Sequence, residues 1–411
     1  MGEKSRSGKG RNDERPHVQI GSDLLRLLSN FVEIELEDVE IEIGDLEITI
    51  QPSMPLPPIP LSRETPVLEK VKPITLLEAD FHAPKDDYPG HIVEVTLGAT
   101  KGEGGTRGSS VTLGGETAPA YYRFDSPILH PPVIAFDVFD KAPSLARVMR
   151  EPFADVLDDP AAWAKRCVDK YGAEMVQLHL TSIDPLWMDT SPETAAKTVE
   201  NVLDAVDVPL AVGGCGDPSK DLKVFEKVAA VGEGERLLLN SVTLDMDIQG
   251  MAELAKKHGH AVIAFTSMDM ALARELNRKL YEFLPREDII IDTTTAALGY
   301  GLDYAFTVME RTRLAGLMGD AELQHPMASG TTNAWAAREA WMRMDPAWGP
   351  REFRGPLWET VTALTLLLTG VDWFMMMHPA AVKTVKDVIQ AFTRNETASA
   401  ETIADWIQVK L

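Results

Sequence analysis

An α/β protein built on a (β/α)8 barrel is the fold that the sequence predicts, and the pattern after residue 131 is the main evidence. From there on, short apolar runs alternate with segments of helical periodicity. Eight such repeats within about 260 residues are typical of a closed parallel barrel whose strands are covered on both faces. An open doubly wound sheet is the alternative, but its usual glycine fingerprint is missing from the first strand–helix turn, FDVFDKAPS.

The helices between the strands carry clear boundary signals. Asp159–Pro160 begins one helix and Gly172 ends it, because proline favours the first helical turn and glycine favours the residue after the last. Ser191–Pro192 and Asp217–Pro218 begin two more in the same way. The predicted strands are 132–138, 174–180, 209–213, 236–240, 261–265, 288–292, 325–328 and 371–377.

The chain before the barrel divides into three parts. Residues 1–18 are charged, lack the apolar core of a signal peptide and are predicted to be a disordered tail. Residues 19–66 are predicted to form an acidic, β-rich extension and a proline-rich linker. The alternating stretch 31–50 is either a solvated acidic ribbon or a docking module for another subunit. Residues 67–130 lead into the barrel, which with its C-terminal helices occupies 131–411.

A β-hairpin is predicted within that leading segment, formed by residues 91–98 and 109–113. The loop between them, ATKGEGGTRGS, is rich in glycine but matches neither G-x-x-x-x-G-K-[ST] nor G-x-G-x-x-G. We therefore reject a nucleotide-binding site. The loop from Thr100 to Ser109 is interpreted either as a flap over a cofactor or partner, or as a mobile hairpin tip.

The amino-acid composition excludes several classes of partner and cofactor site for this chain. The 411 residues carry a formal net charge of −23, which argues against nucleic acid and against anionic lipid surfaces, because both attract clustered Lys and Arg. With two cysteines, the chain lacks the ligands for a four-cysteine iron–sulfur site of its own. Gly370 and Asp372 interrupt the longest apolar run near the C-terminus, so no membrane span is predicted, and we expect a cytoplasmic protein.

The residues at the carboxyl ends of the strands, where the chemistry of a (β/α)8 barrel collects, are unusual here. They are rich in hydroxyls, glycines and amides and carry few permanent charges. They include no paired carboxylates, no H-E-x-x-H metal motif and no G-x-S-x-G elbow, so we predict neither catalytic residues nor a metal site in this chain. Such a surface suits a large neutral ligand that supplies the reactivity itself.

Five runs at these positions resemble a known family. The segments PVIAFDVFD, GGCGDPSKD, LLLNSVTLDMD, IIIDTTTAALGYG and PMASGTTNAW are similar, in this order, to the delta subunit of acetyl-CoA decarbonylase/synthase complexes. The bacterial counterpart of that family is the small subunit of the corrinoid iron–sulfur protein. The resemblance covers most of the chain after the proline-rich linker, and it implies a barrel of the pterin-binding type.

The resemblance also implies cofactors and partners. In this family a larger subunit carries a [4Fe–4S] cluster and the corrinoid, and the barrel mouth faces the corrin ring. The corrinoid cobalt takes a methyl group from a methyl-tetrahydropterin and passes it to acetyl-CoA synthase. The implied cofactor is therefore a corrinoid shared with the large subunit, with no iron–sulfur cluster in this chain. The implied partners are that large subunit, as a heterodimer, and the acetyl-CoA synthase/CO dehydrogenase subunits.

Nine residues are predicted to contact the cofactor. Asn240 and Ser241 resemble the Leu-Asn-Ser run that ends a strand in pterin-dependent methyltransferases, where the amide helps to hold the pterin. The others follow two later strands and are suited to contact the corrin periphery: Asp292, Thr293, Thr294, Ser329, Gly330, Thr331 and Thr332. The alternative is that the polar members of this set cap the following helices. His179 and His378 are expected to be structural hydrogen bonders rather than cobalt ligands.

Two functions remain open on the sequence. In the first, this chain caps the corrinoid and shields the reactive cobalt during methyl transfer. In the second, it is itself a methyltransferase that binds methyl-tetrahydropterin. A full carboxylate set for gripping a pterin is missing, since two strands end in Gly213–Gly214 and in Gln177 and His179, and this favours the first function. The Asn240–Ser241 run favours the second.

Overall fold

The computed structural model describes residues 86–122 and 128–394. The predicted tail, acidic extension and linker lie outside the described residues, so the domain boundaries given above stay predictions.

Eight parallel strands form one sheet, and they are β3 Val133–Phe139, β4 Met175–His179, β5 Leu210–Gly213, β6 Leu238–Val242, β7 Ala261–Phe265, β8 Ile289–Asp292, β9 Ala328–Ser329 and β10 Trp373–Met376. Their order in the sheet is β8-β7-β6-β5-β4-β3-β10-β9. The two edges of this sheet also meet, because Ile291 forms a parallel bridge with Met327 and donates its N–H to the carbonyl of Pro326 at 2.9 Å. The sheet is therefore a closed barrel, which confirms the predicted fold class. Each predicted strand overlaps an observed one, but β9 shares only Ala328 with the predicted strand 325–328.

The helices begin and end where the boundary signals place them. The Asp159 carboxylate accepts the N–H groups of Ala161 and Ala162 at the start of its helix, and Gly172 ends that helix with a φ of 64°. In the described part of the chain, no helix is long and apolar enough to cross a bilayer. The helices are α1 Arg147–Arg150, α2 Pro160–Tyr171, α3 Pro192–Ala205, α4 Pro218–Val231, α5 Ile248–His258, α6 Met270–Leu280, α7 Leu302–Leu317, α8 Arg351–Leu367 and α9 Pro379–Thr393.

The predicted hairpin is present and closes the amino-terminal end of the barrel. Strands β1 (Val95–Leu97) and β2 (Val111–Leu113) pair antiparallel, with Val95 opposite Leu113. Their apolar side chains join the interior cluster formed by the first residues of the barrel strands, including Met175 and Trp373. In the described part of the chain this end is consequently filled with hydrophobic side chains, and the open end of the barrel is the opposite one, which we call the mouth.

The loop of the hairpin is anchored at the closed end. The buried guanidinium of Arg107 donates to the Glu235 carboxylate at 2.7 Å and to the carbonyl of Val206 at 2.6 Å. Val206 and Glu235 each precede a barrel strand, so they belong to the end opposite the mouth. The interpretation of this loop as a flap over a cofactor at the mouth is therefore wrong.

Replacing Arg107 tests how strongly the hairpin is held. Arg107→Ala leaves the Glu235 carboxylate buried without its partner, and we expect the free energy of unfolding to fall by about 3 kcal/mol. Urea unfolding measures this loss. Lys165→Ala, which breaks an exposed ion pair with Asp169, is the control and should change the free energy of unfolding by less than about 1 kcal/mol. If Arg107→Ala lowered the free energy of unfolding no more than the control does, Arg107 would not anchor the hairpin loop.

Candidate functional site at the barrel mouth

A cavity of about 840 Å³ opens at the carboxyl ends of the barrel strands. Its size falls within the range of roughly 300–1,000 Å³ found for small-molecule sites. Residues at or just after the carboxyl ends of all eight barrel strands contribute to its wall. The lining residues are Asp137, Phe139, His179, Gly213, Gly214, Cys215, Gly216, Asp221, Asn240, Ser241, Thr243, Leu244, Asp245, Met246, Phe265, Thr266, Ser267, Leu272, Asp292, Gly330, Thr332, Asn333 and Met375.

Five of the nine residues predicted to contact a cofactor line this cavity together. They come from three separate strand ends and are Asn240, Ser241, Asp292, Gly330 and Thr332. The structure thus brings these three strand ends together at one cavity. Contact of these residues with a cofactor stays a prediction.

The other four predicted residues lie behind the wall. Ser329 and Thr331 are fully buried, with their hydroxyl oxygens 2.9 Å apart. Thr293 is also buried, and the Thr294 hydroxyl donates to the backbone carbonyl of Thr266 at 2.9 Å. These side chains support the lining residues and do not contribute to the cavity surface.

A buried carboxylate that the sequence did not single out joins two strands and the segment after β9. Asp137, at 1% exposure, has Oδ1 3.1 Å from Nε2 of His179. Its Oδ2 accepts the hydroxyl of Thr332, which also donates to the carbonyl of Met375 at 3.2 Å. The His179 ring stacks on Phe139 with 5.0 Å between centroids. Asp137 therefore fixes Thr332 in the cavity wall through Oδ2, while its Oδ1 lies close to His179 without a hydrogen bond among the described residues.

A second carboxylate, on α4, shapes the glycine-rich wall. Asp221 accepts the N–H groups of Cys215 and Gly216, both at 2.9 Å. A Cβ atom at Gly214 would lie 2.4 Å from the Asp221 carboxyl group, and one at Gly213 would lie 2.7 Å from Nε2 of Gln177. A side chain at either position would have to displace Gln177 or Asp221, and the glycines leave this side of the cavity lined largely by backbone.

The mouth thus carries more acidic groups than the sequence indicated, because Asp137, Asp221, Asp245 and Asp292 all line it. Three of these are engaged by neighbouring protein groups: Asp137 and Asp221 as above, and Asp245 by the hydroxyl of Thr243. The fourth accepts a single hydrogen bond, from the N–H of Thr294 at 2.8 Å. Burial raises the pKa of Asp292 to about 7, so this carboxyl group is partly protonated near neutral pH.

The segment after β9 is fixed on α8 and carries Thr332 into the mouth. The Trp335 ring packs against Gly355, where a Cβ atom would lie 2.2 Å from the ring. The buried Glu359 carboxyl accepts the N–H groups of Met377 and His378 at 2.6 and 3.0 Å, and burial raises the pKa of Glu359 to about 7. His378 lies outside the cavity lining and caps α9 through Nδ1, in keeping with the structural role expected of it.

An ordered loop beside the mouth exposes three consecutive large apolar side chains. Leu186 is 97% exposed, and Trp187 and Met188 are about half exposed. Asp184 holds the loop: its carboxylate accepts the N–H of Leu186 at 2.8 Å and its carbonyl accepts the N–H of Trp187 at 3.0 Å. We call residues 184–190 the Leu186 loop. Apolar side chains presented in this way are typical of protein interfaces.

The outer faces of α7 and α8 form a second apolar surface. Along α8, three exposed apolar residues recur at helical spacing, and α7 contributes three more from the neighbouring helix and its end. These residues are Leu357, Val361, Leu368, Tyr304, Leu314 and Met318. We call them the α7–α8 face, and a helix face of this kind is normally covered by another protein.

Asp292 makes the stability of the fold depend on pH in a defined direction. Its pKa is about 7 in the folded chain against an ordinary value of 3.8, so the folded state binds this proton more tightly than the unfolded state. The resulting stabilisation is complete below the ordinary pKa and is lost as pH rises towards 7, by at most about 1.4 kcal/mol per pH unit. Asp292→Asn does not ionise, and its stability relative to the wild type should therefore increase over this range.

Urea unfolding between pH 4.5 and 7.5 measures this difference. Asp245→Asn, at an exposed carboxylate on the rim of the mouth, is the matched control and should give a curve parallel to that of the wild type. Parallel curves for Asp292→Asn and the wild type would mean that Asp292 titrates normally.

Comparison with known proteins agrees with the geometry. The profile of the CO dehydrogenase/acetyl-CoA synthase delta subunit family matches residues 94–344. The acetyl-CoA decarbonylase/synthase complex subunit delta of Archaeoglobus fulgidus is 53% identical over 352 residues, which are 84% of this chain and 78% of that protein. The subunit of the same name from Methanocaldococcus jannaschii is 44% identical over 390 residues, 93% of this chain and 95% of that protein.

Among solved structures, the chain is similar to a dihydropteroate synthase from Xanthomonas albilineans in complex with 7,8-dihydropteroate. The two sequences are 16% identical, the TM-score is 0.47, and the match covers 66% of this chain and 96% of that one. Nothing about the ligand of this chain follows from a likeness of that size. The two sequence matches, by contrast, extend across the barrel and the cavity. The chain therefore belongs to the CO dehydrogenase/acetyl-CoA synthase delta subunit family.

Proposed function

We propose that this chain is the small, corrinoid-capping subunit of a methyl-transferring corrinoid iron–sulfur protein within an acetyl-CoA decarbonylase/synthase complex. The names of its relatives place them in such complexes. The observation that supports this role most directly is the mouth cavity, which combines apolar side chains with hydroxyl, amide and backbone groups and stands beside an exposed apolar loop.

The residues of the mouth fit a corrinoid. A corrin is a broad, flat ring bordered by neutral carboxamide arms, so it calls for backbone, amide and hydroxyl partners rather than fixed charges. The glycine wall from Gly213 to Gly216 leaves backbone accessible, and the buried hydroxyl of Thr266 has no hydrogen-bond partner among the described residues. Asn240, Ser241, Asp292, Gly330 and Thr332 would hold the corrinoid, as the sequence predicted.

The protein contributes binding and shielding. When bound, the corrinoid supplies a nucleophilic cobalt that accepts and donates the methyl group. In this arrangement the barrel would close one side of that centre against water, because hydrophobic side chains of the described residues fill its amino-terminal end.

The iron–sulfur cluster belongs to the partner in this proposal. A [4Fe–4S] cluster is normally held by four cysteine thiolates, and this chain has two cysteines, Cys167 and Cys215.

The partners are assigned from the two apolar surfaces. The Leu186 loop lies at the mouth, so the subunit that carries the corrinoid would cover it. The α7–α8 face lies on the outside of the barrel and is available to a further subunit of the complex, such as acetyl-CoA synthase or CO dehydrogenase. The formal charge of −23 favours partners with basic contact surfaces.

The capping role is tested by anaerobic co-expression of the tagged chain with the corrinoid-bearing large subunit. We expect a one-to-one pair whose visible corrinoid spectrum changes when this chain is removed, because the barrel replaces solvent above the ring. Failure to form the pair, or a spectrum that does not depend on this chain, would overturn the proposal.

The Leu186 loop should account for much of the affinity in that pair. Trp187→Ala removes a large exposed aromatic side chain without disturbing the core, and we expect the dissociation constant for the large subunit to rise at least about tenfold. Biolayer interferometry measures the change. Val231→Ala, at an exposed apolar residue at the end of α4, is the control and should leave the affinity unchanged. Equal affinities for Trp187→Ala and the control would exclude the loop from the interface.

A further inference from the structure

Three polar groups deep in the mouth keep unused hydrogen-bonding capacity, and they lie on three adjacent strands. The Thr266 hydroxyl, in a residue that is 5% exposed, has no hydrogen-bond partner among the described residues. The Asn240 amide nitrogen lies 3.4 Å from Oε1 of Gln177, which is a long contact, and 3.4 Å from Sδ of Met375, which is a weak acceptor. The carboxyl group of Asp292 accepts one hydrogen bond from a backbone N–H, although an ionised carboxylate offers about four acceptor positions.

These three groups form one subsite, because β6, β7 and β8 are neighbours in the barrel. Phe265, which precedes Thr266, is in register with Asp292, and the N–H of Thr266 donates to the Asp292 carbonyl at 2.9 Å. We call Asn240, Thr266 and Asp292 the floor subsite. A buried polar group without a partner costs about 1–3 kcal/mol, so a ligand that satisfies these groups gains that free energy on binding.

The chemistry of the floor subsite matches a primary carboxamide. The amide of Asn240 and the hydroxyl of Thr266 can each donate to a carbonyl oxygen, and the carboxyl group of Asp292 can accept from an NH2 group. A ligand carboxylate would instead lie beside Asp292, with Asp137 also in the cavity wall. Among the described residues, no Lys or Arg lines the cavity to balance the charge. The floor subsite therefore discriminates an amide from the corresponding acid.

Size decides which part of a corrinoid reaches this subsite. A cavity of about 840 Å³ holds a drug-sized group, whereas the corrin macrocycle with its arms is considerably larger. The ring must therefore lie across the mouth, and only a peripheral arm can extend inwards.

We propose, on the basis of the proposed function, that the floor subsite receives one carboxamide arm of the corrinoid. The arm enters the barrel between β6 and β8 while the ring stays at the mouth. One arm held in this way prevents the ring from rotating over the barrel. The chain then fixes the rotational orientation of the corrin relative to the partner subunit, in addition to covering it.

The test compares cobinamide, a corrinoid without its lower nucleotide, with cobinamide derivatives in which one amide arm has been hydrolysed to a carboxylate. Each derivative is titrated into the pair of this chain and the corrinoid-free large subunit, and binding is followed by visible absorption at pH 8. We expect one positional isomer to bind at least about tenfold more weakly than cobinamide, because its carboxylate meets the ionised Asp292.

Variants assign that loss to the floor subsite. Asp292→Asn removes the repulsion and should restore most of the affinity for the weak isomer, whereas Asp245→Asn, on the rim, should not. Thr266→Val should weaken the binding of intact cobinamide by about three- to tenfold, since one hydrogen bond is lost. The floor subsite would be overturned if all isomers bound with the same affinity. It would also be overturned if Asp292→Asn did not restore the affinity of the weakly binding isomer.

The two proposals fail in different ways. If cobinamide binds equally well to the large subunit alone and to the pair, the capping role fails and the floor subsite fails with it. If binding depends on this chain but the pattern among isomers is the same with and without it, the capping role stands and the floor subsite alone is excluded.

Discussion

The closure between β8 and β9 is the contact on which the rest of the structure depends. Strand β9 has only two residues, Ala328 and Ser329, so the seam is made by the Ile291–Met327 bridge and the hydrogen bond from Ile291 N–H to the Pro326 carbonyl. These groups are surrounded by apolar side chains, where an unmade backbone hydrogen bond is costly. Closure brings eight strand ends into a ring, and without it the groups from β6 to β10 would not face one cavity.

The two ends of the barrel have opposite physical characters. At the amino-terminal end the hairpin fills the interior with hydrophobic side chains, and the buried Arg107–Glu235 pair holds its loop. At the mouth, polar groups are buried with incomplete hydrogen bonding, and burial raises the pKa of Asp292 to about 7. The packed end supplies stability that the mouth, as a binding site, does not.

Much of the fold could be predicted because its signals are local. The apolar runs located seven of the eight strands, and the Asp159–Pro160 and Gly172 signals located the ends of α2, since each depends on a few consecutive residues. The two-residue β9 shares only Ala328 with the run predicted for it. The position of the 100–109 loop could not be predicted, because it depends on contacts with residues about 100 positions later, such as Val206.

The site was predicted only in part, for two physical reasons. Asp137 meets Thr332 across 195 positions of sequence, and no local pattern reports such a pair. Side-chain direction also changes abruptly after β8, where Thr294 has a φ of 74°, so Asp292 lines the cavity while the next two threonines do not. A run of hydroxyls at a strand end thus locates a site without showing which members face it.

Hydrogen–deuterium exchange of the chain, alone and paired with the corrinoid-bearing subunit, tests most directly whether the mouth is the functional face. The account predicts slower exchange on pairing in the segments that surround the mouth, residues 182–190, 213–217, 240–246, 266–269 and 330–334, with no change in the hairpin, residues 95–113. Protection of the hairpin with unchanged exchange at the mouth would contradict it.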